Sequence, residues 1–248
     1  MLHAQLAVFE AGGLPAGAKL ISVTSAQIDS ATANPTISLV MPADGAEANR
    51  VLVFVYWSEG ANPRAMSAPQ FDLVNCTQHG TVSDDGGIAG SIGIAWMPEA
   101  DFPAAGARNF EWTLTGNNRG HAVAMYLLED ADQTTPLGTL SIAASLNQVP
   151  PFITAYTATG LAGQFLVTGD AVSETLSGTY QANDIDDNIG NMVVDSEHNP
   201  RNSPGGAFRS AHVEGILSAS ELYQWTNSYN TSVDLDTTVR LWCPVNLA

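Results

Sequence analysis

The chain has 248 residues, 25 acidic and 8 basic, for a formal net charge of −17; 45% are hydrophobic and 13% charged, with 22 Gly and 13 Pro. That length buries a full core without a disulfide or metal staple, and apolar residues recur in every third of the chain, which excludes a disordered one. The negative field repels phosphates, so a broad nucleic-acid surface is excluded too.

The opening residues, MLHAQLAVFEAGGLPAGAKL, carry an apolar patch with no basic residue before it, and Glu10 interrupts the patch. A secretory signal needs a basic start and a longer apolar run, so none is expected. No run of 18 apolar residues exists, so no transmembrane helix or membrane insertion is expected. Residues 1–18 read as a short N-terminal arm, and 19–248 as one domain.

Period-two alternation dominates the rest of the chain. Val51-Leu52-Val53-Phe54-Val55-Tyr56-Trp57 is apolar on both faces, the pattern of a central strand covered on both sides. Ile92, Ile94 and Trp96 share one face of the next run. Phe110, Trp112 and Leu114 do the same with Glu111 pointing the other way, and so do Val123, Met125 and Leu127. Val239, Leu241 and Cys243 repeat the pattern near the end. Between the runs lie turn residues: Pro42-Ala43-Asp44-Gly45, Asp84-Asp85-Gly86-Gly87, Gly116-Asn117-Asn118 and Ser203-Pro204-Gly205-Gly206. Short helical turns are expected in Met97 to Gly106 and Ser220 to Asn227, and polar loops at Asn183 to Asn188 and Asp195 to Gly206. The fold class is all-β: a jelly-roll-like antiparallel β-sandwich.

Candidate sites are few. Cys76 and Cys243 match no zinc or redox spacing and read as two buried thiols, able to pair only if the fold brings their strands together. Asp184, Asp186 and Asn188 place oxygen ligands at alternate positions, and Asp195 falls where the twelfth-position acid of a calcium loop would. Ile189 stands at the sixth position, where such a loop needs Gly. Calcium is therefore the one cofactor to weigh, against a plain polar turn. Tyr223, Trp225 and Tyr229 lie beside Asn and Gln, a composition that fills a partner's pocket, stacks on sugar, or packs under a loop. The histidines (His3, His79, His121, His198, His212) sit in unrelated contexts. No Gly-x-Ser-x-Gly elbow or phosphate-binding Gly loop occurs.

A set of segments goes further than composition. They are Asn49-Arg50-Val51-Leu52-Val53-Phe54-Val55, Glu59-Gly60, Ala95-Trp96-Met97-Pro98, Pro103-Ala104-Ala105-Gly106, Asn109-Phe110-Glu111-Trp112-Thr113-Leu114, Ala122 to Leu128, and Asp130-Ala131-Asp132-Gln133-Thr134-Thr135-Pro136. Over roughly residues 20 to 140 the chain resembles the β-sandwich domains of tailed-phage virion proteins and large bacterial surface proteins. Asp130 stands where the family pattern has Gly, and the family's Tyr-Gly-Gly turn is absent near Val74-Asn75-Cys76.

The resemblance implies display on a particle or cell surface and transfers no catalytic residue. The expected function is a non-enzymatic virion structural protein, made in a host cytoplasm and placed on the outer surface as a capsid decoration, head spike or tail-associated component. Its expected partners are other virion proteins and copies of itself, with residues 183–206 and 222–230 as contact segments. A host-glycan-binding adhesin module is the alternative, and a glycan-degrading enzyme the third reading.

Overall fold

The structure, a computed structural model, describes residues 17–43, 48–60, 65–83, 90–118, 120–148, 152–157, 164–174, 192–198, 206–214, 222–227 and 235–248. Its first half contains β1 (Lys19–Ile28), β2 (Thr36–Met41), β3 (Val51–Ser58), β4 (Met66–Phe71), β5 (Val74–Asn75), β6 (Thr77–Ser83), β7 (Ser91–Pro98), β8 (Gly106–Leu114) and β9 (His121–Glu129). Its second half contains β10 (Ser141–Gln148), β11 (Phe152–Thr157), β12 (Phe165–Glu174), β13 (Met192–His198), β14 (Gly206–Val213), β15 (Leu222–Asn227) and β16 (Leu235–Val245). The one helical element among the described residues is a 3-10 turn at Glu99–Asp101, inside the first segment where a helical turn is expected. The second such segment is instead strand β15, paired with β11. The polar stretch from Asp195 likewise starts as strand, because Met192–His198 pairs with β14.

All the strand pairs among the described residues are antiparallel. A central sheet has the order β1-β9-β3-β7-β6. A second sheet, β2-β8-β4-β5, covers one of its faces, and a third, β10-β16-β12-β14-β13, covers the other; β11 and β15 form a separate ribbon. The all-β sandwich is therefore built in three layers around a sheet covered on both sides. Strand β3 explains the arrangement. All eight of its residues are buried. Val51, Val53, Val55 and Trp57 enter the core toward the third sheet, while Leu52, Phe54 and Tyr56 enter the core toward the second. Alternation puts successive side chains on opposite faces, so a strand apolar at every position is stable only with a partner sheet on each side.

The two cores differ in texture. Toward the second sheet, Phe54 stacks on Phe110 at 4.5 Å between centroids and meets Phe71 at 5.2 Å, while Tyr56 meets Trp112 at 5.4 Å. Toward the third sheet the filling is aliphatic, apart from a few rings such as Trp57, stacked on Phe208 at 6.1 Å. Cys76 lies in the aromatic core and Cys243 in the other, on opposite sides of the central sheet. Both thiols are free, and burial pushes each up to about 12. They are structural thiols with little thiolate character.

The β4–β5 hairpin carries a local strain. Phe71 pairs with Val74, and both residues between them have positive φ, Asp72 at 52° and Leu73 at 69°. This two-residue turn favours Gly at its second position, yet Leu73 occupies it and is 81% exposed. Leu73→Gly is expected to raise stability by about 0.5–1 kcal/mol, since relief of the left-handed penalty exceeds the entropy cost of glycine. A thermal melt that leaves the midpoint unchanged or lowers it would refute this.

Candidate functional site

Three polar assemblies stand out among the described residues, beside a buried ion pair between Arg240 and Asp170 of the third sheet. The first joins three separated segments. The Arg50 main-chain N–H donates to Glu99 Oε2 at 3.0 Å, and its guanidinium donates to Glu99 Oε1 at 3.0 and 2.7 Å. Gln133 completes the ring. Its Oε1 accepts the Glu99 N–H at 3.1 Å, and its Nε2 donates to the carbonyls of Arg50 and Ala131. The Arg50 guanidinium also lies 5.6 Å from the Phe102 ring centroid. Asp132 shapes the approach by accepting the N–H groups of Thr134 and Thr135 at 2.7 and 2.9 Å. Asn49 and Asp130 flank the clasp with φ of 56° and 57°. Asp130 thus sits in the left-handed region, a conformation Asp tolerates.

The second assembly is sealed between β3, β8 and β9. His121 Nε2 lies 3.1 Å from the carbonyls of Ser30 and Asn118, so it carries the proton. Nδ1 is then left to accept from the Ser58 hydroxyl at 2.8 Å, while Trp112 Nε1–H donates to the same hydroxyl at 3.0 Å. These are the atoms of a nucleophile and its base, but Ser58 and His121 have no exposed surface. The network joins strands; substrate has no access to it.

The third assembly lies between the central and third sheets. Asp195 accepts the Tyr126 hydroxyl at 2.9 Å, and both its oxygens lie 2.8 Å from His212 Nδ1. The His212 ring stacks on Phe165 at 5.1 Å. Burial, and then the Asp195 charge, raises the Tyr126 hydroxyl well above the ordinary tyrosine value. The register of β13 on β14 shifts between Val194 and Ser196, so Asp195 is the extra residue of a bulge. The bulge turns its carboxylate into the core. Asp184, Asp186 and Asn188, the other residues of the calcium pattern, lie outside the described residues, as does Tyr229. Tyr223 and Trp225 belong to β15, in register with Tyr156 and Thr154 of β11.

The first two assemblies contribute to how the protein responds to acid. Burial lowers the His121 pKa below 6.5, and the Arg50 main-chain N–H, followed by its guanidinium, holds Glu99 below 4.5. Both groups bind protons more weakly when folded, so the unfolded state takes up more protons as pH falls. Stability is expected to be full above pH 6.5, to decline below it through His121, and to decline further below 4.5 through Glu99. Melting across this range should show Glu99→Gln removing only the lower part of the loss. Gln133→Ala, which strands the Arg50 carbonyl and the Glu99 N–H, should cost about 1–3 kcal/mol. A melting curve indistinguishable from wild type would show that the ring contributes nothing.

Comparison with known protein families, curated proteins and solved structures gives no match.

The outer face of the second sheet offers a surface of a different kind. Thr36, Ser38 and Val40 of β2, Ala107, Asn109, Glu111 and Thr113 of β8, Ser67 and Gln70 of β4, and Asn75 of β5 point away from the core. Glu111 is the only ionisable side chain among them. The face is not flat. β4 gains one residue against β8 between Ser67 and Gln70, and Ala68 in that bulge has φ of 49°. Beside it lies an open depression of about 130 Å³, lined by Asn34, Ala68, Gln70, Glu111, Trp112 and Thr113. Alternation identifies Glu111 as pointing away from the core but says nothing of Asn34 or Gln70, which come from other segments.

Proposed function

We propose that the chain is a non-enzymatic structural protein of a tailed-phage virion, carried on the outer surface as a capsid decoration, head spike or tail-associated component. The observation that carries this reading is the clasp. Arg50, Glu99 and Gln133 come from or adjoin three separate segments of the resembled pattern, and they close on one another through five hydrogen bonds. Two of these segments, and Glu99 beside a third, are thus tied to one another in this fold.

Two surface features support contacts with neighbours. Leu73 and Val74 project from the strained hairpin tip, exposed by 81% and 38%. Val193 and Val194 are also exposed on β13, which among the described residues is an edge strand of the third sheet, and a sheet edge is a template for pairing. A net charge of −17 suits an outer position, because a lining of the shell would oppose the packed phosphates. Mass spectrometry and antibody-labelled imaging of purified particles, from a lysate in which the chain is made, test the reading. The chain should copurify with particles at fixed stoichiometry and label their exterior. Its absence from particles overturns the assignment.

A further inference from the structure

We propose that the depression on the second sheet binds an uncharged saccharide unit through Asn34, Gln70, Glu111 and Thr113. Its hydrogen-bonding groups determine the ligand class. The Thr113 hydroxyl donates to Asn34 Oδ1 at 3.3 Å, which leaves the Asn34 amide N–H groups as donors. Gln70 Nε2 donates to Asn75 Oδ1 at 2.7 Å, which leaves Gln70 Oε1 as an acceptor. Glu111 adds two more acceptors. Amide donors and carboxylate and carbonyl acceptors therefore share the lining of one depression.

A phosphate, sulfate or carboxylate ligand only accepts hydrogen bonds. It would face the Glu111 carboxylate and Gln70 Oε1 with no cation in the lining to offset them, because Arg108, on the same strand as Glu111, is committed to Asp72 and to the Ala104 carbonyl. A metal ion would find a single carboxylate, and no group of three His, Cys, Asp or Glu able to hold one occurs among the described residues. A hydroxyl both donates and accepts, so a ring bearing several neighbouring hydroxyls satisfies both halves of the set. The backbone beside the depression is irregular as well. The bulge interrupts the β4–β8 pairing beside the depression, and Ala68 is held in a left-handed conformation that non-glycine residues seldom adopt. Strain of that kind concentrates at ligand sites.

The depression is small and open, so it holds one ring or the end of a chain, with affinity on the order of 1 mM. The site does not depend on where the chain sits on a particle, and its test is separate from particle localisation. The 248-residue protein is titrated by NMR with neutral hexose oligosaccharides, and in parallel with uronic-acid oligosaccharides. Neutral sugars should shift resonances of β4 and β8, and acidic ones should bind at least about tenfold more weakly. Glu111→Gln and Asn34→Ala should each weaken binding about tenfold, the worth of a hydrogen bond to a charged or well-placed group. Ser38→Ala, on the same face but outside the depression, should leave it unchanged. Melting curves confirm that each variant is folded. No response to any neutral sugar, equal loss in Ser38→Ala, or tighter binding of acidic sugars would each overturn the proposal.

Discussion

Trp57→Ala is expected to destabilise the protein by about 3–5 kcal/mol, at the upper end for a single core truncation. Trp57 has no exposed surface and stacks on Phe208 of the third sheet. Its removal opens a cavity at the contact between layers, where two strands hydrogen-bonded on both sides cannot collapse to fill it. Phe54→Ala, three residues earlier on the same strand, is expected to cost a comparable amount in the opposite core, because Phe54 packs on both Phe71 and Phe110. Denaturant unfolding of the two variants measures both. A Trp57→Ala cost near 1 kcal/mol, beside a large cost for Phe54→Ala, would mean that the third sheet packs only loosely on the central one.

The second large effect comes from adding atoms. A Cβ built at Gly169 of β12 would lie 2.6 Å from Val55 Cγ1, 3.3 Å from Ile92 Cγ2 and 3.4 Å from Phe208 Cε2. Val55 is buried on the shared strand and stiff at χ1, so it has no room to swing away. Gly169→Ala is expected to cost about 1–3 kcal/mol through overpacking, and Gly169→Leu to abolish the folded, soluble protein. Gly93 makes room within the central sheet instead: it pairs with Tyr56 across β7 and β3, and a Cβ there would lie 2.3 Å from Tyr56 Cζ. Gly169→Ala serves as the graded readout if the leucine variant fails to express. A Gly169→Ala protein as stable as wild type would place the sheets farther apart than they stand here.

Much of the core is legible in the sequence, and β3 shows why. A strand apolar at every position has one stable context, so its burial on both faces follows from local chemistry alone. The inward positions of β8 and the 3-10 turn at Glu99–Asp101 are legible for the same local reasons. The number of layers is not. β3 demands a cover on each face but does not say which strands supply it, and the pairings of β9 with β1 and β3 join residues as distant as Lys19 and Glu129 or Val51 and Leu128. The stretch beginning at Asp195 misleads because its residues are polar, whereas a bulge between paired strands turns that carboxylate inward to Tyr126 and His212.

From its sequence alone, this chain is an acidic all-β protein whose middle strand must be enclosed, since alternation and apolarity act on neighbouring residues and need no knowledge of distant ones. Tertiary structure alone decided that Ser58 meets His121, that Arg50, Glu99 and Gln133 close into a ring, and that Asn34, Gln70 and Glu111 share one depression. Hydrogen bonds act over about 3 Å, and whether two groups come that close depends on register and bulges, which no single segment encodes.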